Sequence, residues 1–233
     1  VIAYVAVTSG WLTACYASRF VATYHDHPPG VDHDTVIVCN GGPLPAEVGL
    51  IFAPMRAQFF ARSNEGQDIA GYIEAARGPC AGYDLMLCLG ESAYFQREGW
   101  LKRFVEAYQR HGPGMYGAFS SNAVRPHMNT TGFACPPKLI AGYSLRVVTK
   151  ADRYSYEHGP RAFWRQLSQL GYPVRLVTWD GEWEPRMWRM PLNILWRGTQ
   201  ENCLLRIGLC DRWETAEPDV KAKWSRFADQ PFA

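Results

Sequence analysis

The 233-residue sequence has no C-x-x-C pair, and its seven cysteines (Cys15, Cys39, Cys80, Cys88, Cys135, Cys203 and Cys210) are scattered and odd in number. That argues against a zinc knuckle or a disulfide framework and points to a reducing compartment, the cytoplasm. No run approaches the ~18 apolar residues of a membrane span. The opening "VIAYVAV" has neither a methionine nor a basic n-region, so it reads as a first strand and not as a signal peptide. Charge of one sign is not in excess either: 24 Lys and Arg stand against 22 Asp and Glu, which gives no reason to expect nucleic acid as the main partner. A G-x-x-x-x-G-K-[ST] loop and a G-x-S-x-G elbow are both missing, which sets aside NTPase and serine-hydrolase readings, and a dehydrogenase is not expected. Without an internal repeat, a low-complexity tract or a linker, a single domain over 1–233 is expected.

What is present is apolar and aromatic, 47% and 14% of residues, enough for a sizeable core. Short apolar runs alternate with amphipathic segments. "IAYVAV", "DTVIVC", "AQFFA" and "YDLMLCL" read as strands. "WLTACYASRFVATY" reads as a helix with Trp11, Leu12, Cys15, Tyr16 and Phe20 on its buried side. "EGWLKRFVEAYQRHG" reads as a second, with Trp100, Leu101, Phe104, Val105 and Tyr108 as its stripe. Further on, "GMYGAF", "TTGFAC" and "PVRLVTW" read as strands and "GPRAFWRQLSQLG" as a helix. Strands alternating with helices of this length indicate an α/β fold with a mostly parallel central sheet flanked by helices. The Trp-rich tail 181–233 resists assignment.

In such sheets a ligand lies beyond the carboxyl ends of the strands. Here those ends carry small or polar clusters: Thr8-Ser9-Gly10, Asn40-Gly41-Gly42 and Gly90-Glu91-Ser92. The third strand leads into "SNEGQDIAGYIEAA", whose second half is a helix with Ile69, Tyr72, Ile73 and Ala76 buried and Gly78 as its stop. Its first half puts Asn64, Gly66 and Asp68 at the helix mouth, where free N–H groups suit a ligand oxygen and Asp68 suits a hydroxyl, a cation or the helix dipole. The plain alternative is that Asn64 is only an N-cap.

Taken in order, these stretches resemble the rhamnan-synthesis protein F family, within the GT-A class of nucleotide-sugar glycosyltransferases. "SNEGQDIAGYIEA" is similar to that family's N-x-G-x-D-I stretch, and "YDLMLCLGES" to its D-x-x-x-x-L-N-D-S strand, with Gly90-Glu91-Ser92 in place of N-D-S. "RPHMNTTGFACPPKLI" resembles the acceptor-side stretch, and "YEHGPRAFWRQLSQLGYPV" the segment in which a Glu precedes a helix ending in Gly-Tyr. The resemblance covers roughly 1–178.

It implies a GT-A-like (Rossmann-like) fold with a donor-binding half at about 1–92 and an acceptor or catalytic half at about 93–180. It implies transfer of a hexosyl or deoxyhexosyl group from a nucleotide sugar to a glycan or other hydroxyl acceptor, in polysaccharide biosynthesis, with inversion. Thr8, Ser9, Asn40, Asn64, Gly66, Asp68, Glu91 and Ser92 fall at donor-binding positions. Glu157 falls at the general base, which must take the acceptor's proton as the C–O bond forms. His158 adjoins it, and His127 lies in the acceptor-like stretch with Asn129 and Thr130. Glu91 falls where metal-dependent members bind Mn²⁺ or Mg²⁺, but Gly90 and Ser92 leave it the single carboxylate, a poor site unless the diphosphate completes the shell. Three readings therefore stay open: cation-assisted transfer, metal-independent transfer, and a non-catalytic glycan- or nucleotide-binding module that kept the fold.

Other candidates are weaker. "YHDHPPGVDHD" carries His25, His27 and His33 with three aspartates, but its prolines and glycine make it a surface turn, not a metal site. Among the tryptophans, Trp164 is expected in the core, and Trp183 and Trp188 as an acceptor platform. Asp180 and Glu182 are the next carboxylates expected to face the cleft.

Overall fold

The computed structural model describes residues 1–7, 13–121, 125–188 and 195–229. Ten strands appear among them: β1 (Ile2–Val7), β2 (Thr35–Asn40), β3 (Gln58–Arg62), β4 (Met86–Leu89), β5 (Met115–Gly117), β6 (Ser120–Ser121), β7 (His127–Met128), β8 (Gly132–Cys135), β9 (Val174–Val177) and β10 (Glu182–Trp183). The helices are α1 (Thr13–Asp26), α2 (Ala46–Ile51), α3 (Gln67–Arg77), α4 (Trp100–His111), α5 (Pro137–Ala141), α6 (Lys150–His158), α7 (Phe163–Gln169), α8 (Gly208–Thr215) and α9 (Pro218–Asp229). Eight strands form one sheet in the order β10-β9-β5-β8-β4-β1-β2-β3, and β6 and β7 pair as a small ribbon. The β1–β2, β2–β3, β1–β4 and β5–β9 pairings are parallel. Strand β8 runs against both its neighbours, and β10 against β9. The fold is α/β, with a central sheet that is mainly parallel.

The apolar runs read as continuous because both faces of the sheet are covered. Along β1, Ile2, Tyr4 and Ala6 join Phe20 of α1, Val48 of α2, and Trp100 and Phe104 of α4 in one core. Ala3 and Val5 point the other way, into a second core with Ile69, Tyr72 and Ile73 of α3, Ile140 of α5, Tyr156 of α6 and Phe163 of α7. Each fully buried side chain of this size stabilises the fold by about 1.5–3 kcal/mol relative to exposure. Cys15, Cys39, Cys80, Cys88, Cys135 and Cys210 are free thiols; of all seven cysteines only Cys15 is exposed and the rest, Cys203 included, are buried. No described helix is long and apolar enough to cross a membrane.

Several expectations need correction. The buried side of α1 is Thr13, Ala17, Phe20 and Val21, while Cys15 is exposed. The small Thr13 and Ala17 carry the i, i+4, i+7, i+8 stripe that places the helix against the sheet. Trp11 and Leu12 lie outside the described residues. A G-x-G-x-x-G spacing, which would count toward a dehydrogenase, does occur at Gly112-Pro113-Gly114-Met115-Tyr116-Gly117. It runs from the end of α4 into β5, the reverse of the strand-to-helix context a dinucleotide loop requires. The largest correction is α6. Glu157 precedes α7, as expected, but not at its entrance: it sits in the last turn of a separate helix, because Thr149 and Asp152 form a capping box that starts α6 at Lys150. Gly159 and Pro160 then separate it from α7.

Candidate functional site

Strand order reverses between β1 and β4, and ligands of open α/β sheets bind in the crevice beyond the strand ends at such a point. A cavity of about 350 Å³ opens there. The β3–α3 turn lines it with Asn64, Gln67 and Asp68, the end of β4 with Gly90, Glu91 and Ser92. Thr131, just before β8, and Arg153 of α6 complete the wall. Four of the residues singled out from the sequence, Asn64, Asp68, Glu91 and Ser92, thus meet at one cavity. A second cavity, of about 300 Å³, lies along α3 among Arg62, Glu65, Glu74, Arg77 and Arg146. Its arginines are already partnered, by Glu74, the Ala141 carbonyl and Glu65 respectively.

The helix mouth owes its shape to Gly66. This residue is the N-cap of α3 with φ +66°, and its N–H donates to the Val148 carbonyl at 2.9 Å. A Cβ at that position would lie 2.2 Å from the Val147 oxygen. Glycine is therefore required twice, for the left-handed backbone and for the close approach. Asn64 makes no side-chain cap; its carbonyl accepts from Gln67 N–H and its side chain is left exposed at the cavity. Asp68 Oδ1 pairs with Arg153 Nη2 at 2.7 Å. Burial pushes the Asp68 carboxyl above its usual range; Arg153 pulls against that and Glu157 adds to it.

At the β4 end, Ser92 Oγ accepts from Gly208 N–H at 3.2 Å, holding the first turn of α8, and Tyr4 donates to the Glu91 carbonyl at 2.6 Å. A Cβ on Gly90 would sit 2.7 Å from Thr131 Cγ2, so the glycine lets Thr131 close over the strand end. The cation expected at Glu91 finds little there. Neither Gly90 nor Ser92 brings a carboxylate, Ser92 is held by α8, and Asp68 is held by Arg153. These residues do not fit a Mg²⁺ or Mn²⁺ shell, which needs several oxygen ligands.

Beside the cavity, α6 carries Glu157 one turn beyond Arg153, on the same helix face. Glu157 Oε1 accepts from the Thr130 N–H at 3.0 Å and the Thr130 hydroxyl at 3.2 Å, and Oε2 lies 3.4 Å from His158 Nε2. The His127 and His158 rings are 3.9 Å apart. All three residues expected in catalysis therefore converge. Burial works to raise the Glu157 carboxyl, but hydrogen bonding from His158, the two imidazoles and the Thr130 N–H leave it below the usual range. His127 is pushed down to about 4, chiefly by burial, and is neutral at pH 7.

The remaining expectations fall elsewhere. Thr8 and Ser9 lie outside the described residues. Asn40 is buried at the end of β2, where its Oδ1 accepts from Arg62 at 2.8 Å. Asn129 and Thr130 are buried, Asn129 closing the turn to the Thr131 N–H and Thr130 anchoring Glu157. Trp183 is on the outermost strand β10, its indole N–H donating to Thr178. Trp188 is no platform, because it is 1% exposed and packs on Trp164. Asp180 is tied to Thr178 and Asn202, and Glu182 is buried between Arg110 and His111, so neither is free for a cleft. Sequence reasoning passed over Gln67, Thr131 and Arg153. For Arg153 the signal was the T-x-x-D capping box at Thr149–Asp152, which starts the helix that carries it.

No family model and no curated protein matches the chain. Among solved structures it is similar to HddC from Yersinia pseudotuberculosis, at TM-score 0.45 and 12% identity over 67% of this chain and 83% of that one. It is similar to 4-diphosphocytidyl-2C-methyl-D-erythritol synthase from Anaerococcus prevotii, at 0.44 and 9% over 66% and 80%. The galactosyltransferase LgtC, in complex with donor and acceptor sugar analogues, follows at 0.42 and 11% over 59% and 58%. With TM-scores below 0.5, none of the three carries an argument about this chain's chemistry.

Proposed function

We propose that the chain is a GT-A-like transferase that uses a nucleotide-sugar donor and passes its sugar to a glycan or other hydroxyl acceptor. One observation carries the reading: the cavity at the strand-order reversal and the half-buried carboxylate Glu157 are neighbours, joined by α6 through Arg153. The donor's phosphates would lie by Arg153 at the first turn of α3, where its guanidinium stabilises the departing diphosphate. Glu157, ionised and held through Oε1, would take the acceptor proton on Oε2. Transfer to a glycan, in polysaccharide assembly, with inversion, belongs to this proposal. So do a single domain with donor and acceptor halves, and a cytoplasmic location.

Nucleoside diphosphate release from a panel of nucleotide sugars tests it. One donor class should be consumed, and Glu157→Gln should slow release roughly 10²–10⁴-fold with donor affinity kept. Release at the wild-type rate by Glu157→Gln would remove Glu157 from the reaction. A second reading, a binding module without turnover, is favoured by the single carboxylate in Gly90-Glu91-Ser92. It predicts donor binding with no release by the wild type.

A further inference from the structure

We propose that His127, Glu157 and His158 form a binding site for a divalent transition-metal ion of the zinc class, at a place distinct from Glu91. Each offers one ligand atom, and the three atoms lie within 4.8 Å of one another; it is the one such group among the described residues. Glu157 Oε2 and His158 Nε2 are 3.4 Å apart. That is the separation of two ligands each about 2.1 Å from one ion at a tetrahedral angle.

The surroundings of each ligand point the same way. His127 Nδ1 is 2.8 Å from the Arg125 carbonyl, which can only accept, so Nδ1 carries the proton and Nε2 keeps its lone pair. A backbone carbonyl on the far nitrogen is the usual outer support of a metal-bound imidazole. Glu157 is oriented by two bonds from Thr130 to Oε1, which leaves Oε2 on the histidine side. His158 is held at Nε2 by Glu157 and by ring contacts with His127 and Tyr154, while its buried Nδ1 has no hydrogen-bond partner among the described residues and so lacks the outer support that His127 has.

Two imidazoles and a carboxylate select Zn²⁺ or a similar ion over Mg²⁺ and Ca²⁺, which take oxygen ligands. Three protein ligands also leave a fourth position open, the pattern of a catalytic and not a structural zinc. The site stands on these side chains and not on the donor reading. If a nucleotide-sugar donor also binds, the ion replaces Glu157 as the group that activates the acceptor: Glu157 is then a ligand and not the base, and the acceptor hydroxyl takes the open position. Its proton then passes to solvent water. Its oxygen bonds the sugar carbon as the carbon–diphosphate bond breaks, the electron pair leaving on the diphosphate.

Titration of the chain with Co²⁺, followed by visible absorption and proton NMR, tests the proposal. One equivalent should bind, with the d–d bands of a four- or five-coordinate site and a hyperfine-shifted exchangeable proton from His127 Nδ1–H. His127→Gln and His158→Gln should each weaken binding by more than the ~10–100-fold that loss of an outer-shell partner costs. His33→Gln, in the surface turn, should leave it unchanged. Circular dichroism checks that each variant folds; should His127→Gln fail to, His158→Gln, at the helix end, carries the test. A folded wild type that takes up no Co²⁺ at millimolar concentration would overturn the site, as would undiminished uptake by His158→Gln. Nucleotide binding is measured separately, so metal uptake without it removes the donor reading and leaves this one standing.

Discussion

Arg153 Nη2 and Asp68 Oδ1 lie 2.7 Å apart, and this pair joins α6 to the first turn of α3. Both side chains are less than a third exposed, 29% and 19%. The pair sets how far Glu157, one turn further along α6, stands from the cavity.

Arg153→Leu should therefore act on both sides of the site. Stability should fall by about 1–2 kcal/mol, between the values for exposed and buried pairs, because Asp68 is left half-desolvated without its partner. Nucleoside diphosphate affinity should fall as well. Urea titration and calorimetry on the same variant check the two effects. Unchanged nucleotide affinity would take Arg153 out of the donor site.

Gly66→Ala should be among the most damaging small changes in the chain. The left-handed φ alone costs about 1–2 kcal/mol for a non-glycine residue, and the new Cβ would meet the Val147 carbonyl. Gly42→Ala is the contrast: its φ is +115°, but nothing lies within 4 Å of the new atom. Urea midpoints should place Gly66→Ala well below Gly42→Ala, and equal midpoints would contradict the close approach.

Asp152 gives an acid-sensitive start to α6. Hydrogen bonds from the Thr149 N–H and hydroxyl and the Val148 N–H hold its carboxyl below the usual range. A folded-state value below the unfolded ~3.9 means that the stabilisation is present above about pH 4. It is lost as pH falls through the lower, folded value. Asp152→Asn should lower stability at pH 7 and flatten this part of the acid profile. A profile parallel to the wild type's would mean that the capping box does not start the helix.

How much of this was legible in the sequence differs by element. The runs that became β1 and β4 are apolar throughout, β2 is apolar between Thr35 and Asn40, and the stripe of α3 is regular, so local pattern alone located them and the strand ends. The first helix was read only partly right: Phe20 is buried as expected, but the stripe also uses Thr13 and Ala17, which stand out less by hydrophobicity than Cys15, which is exposed, and Tyr16, which is half-buried. Helix α6 was hidden for a related reason: Tyr156 is its one buried residue, so no apolar period announces it. Glu157, His158 and His127 could be named one at a time. The approach of His127 to the adjacent pair Glu157-His158 could not, because it depends on β7 and α6 packing together across a sequence separation of 30 residues between His127 and Glu157. No local pattern encodes such a meeting.

The most direct measurement is calorimetric titration of the wild type and Asn64→Leu with a panel of nucleoside diphosphates. Asn64 is exposed at the cavity and makes no cap, so its replacement should spare the fold. At least one nucleoside diphosphate should bind the wild type and bind Asn64→Leu about tenfold more weakly, as expected for the loss of about 1.4 kcal/mol, a typical hydrogen bond. No binding by the folded wild type at millimolar concentration, or binding that ignores Asn64, would contradict a donor site in this cavity.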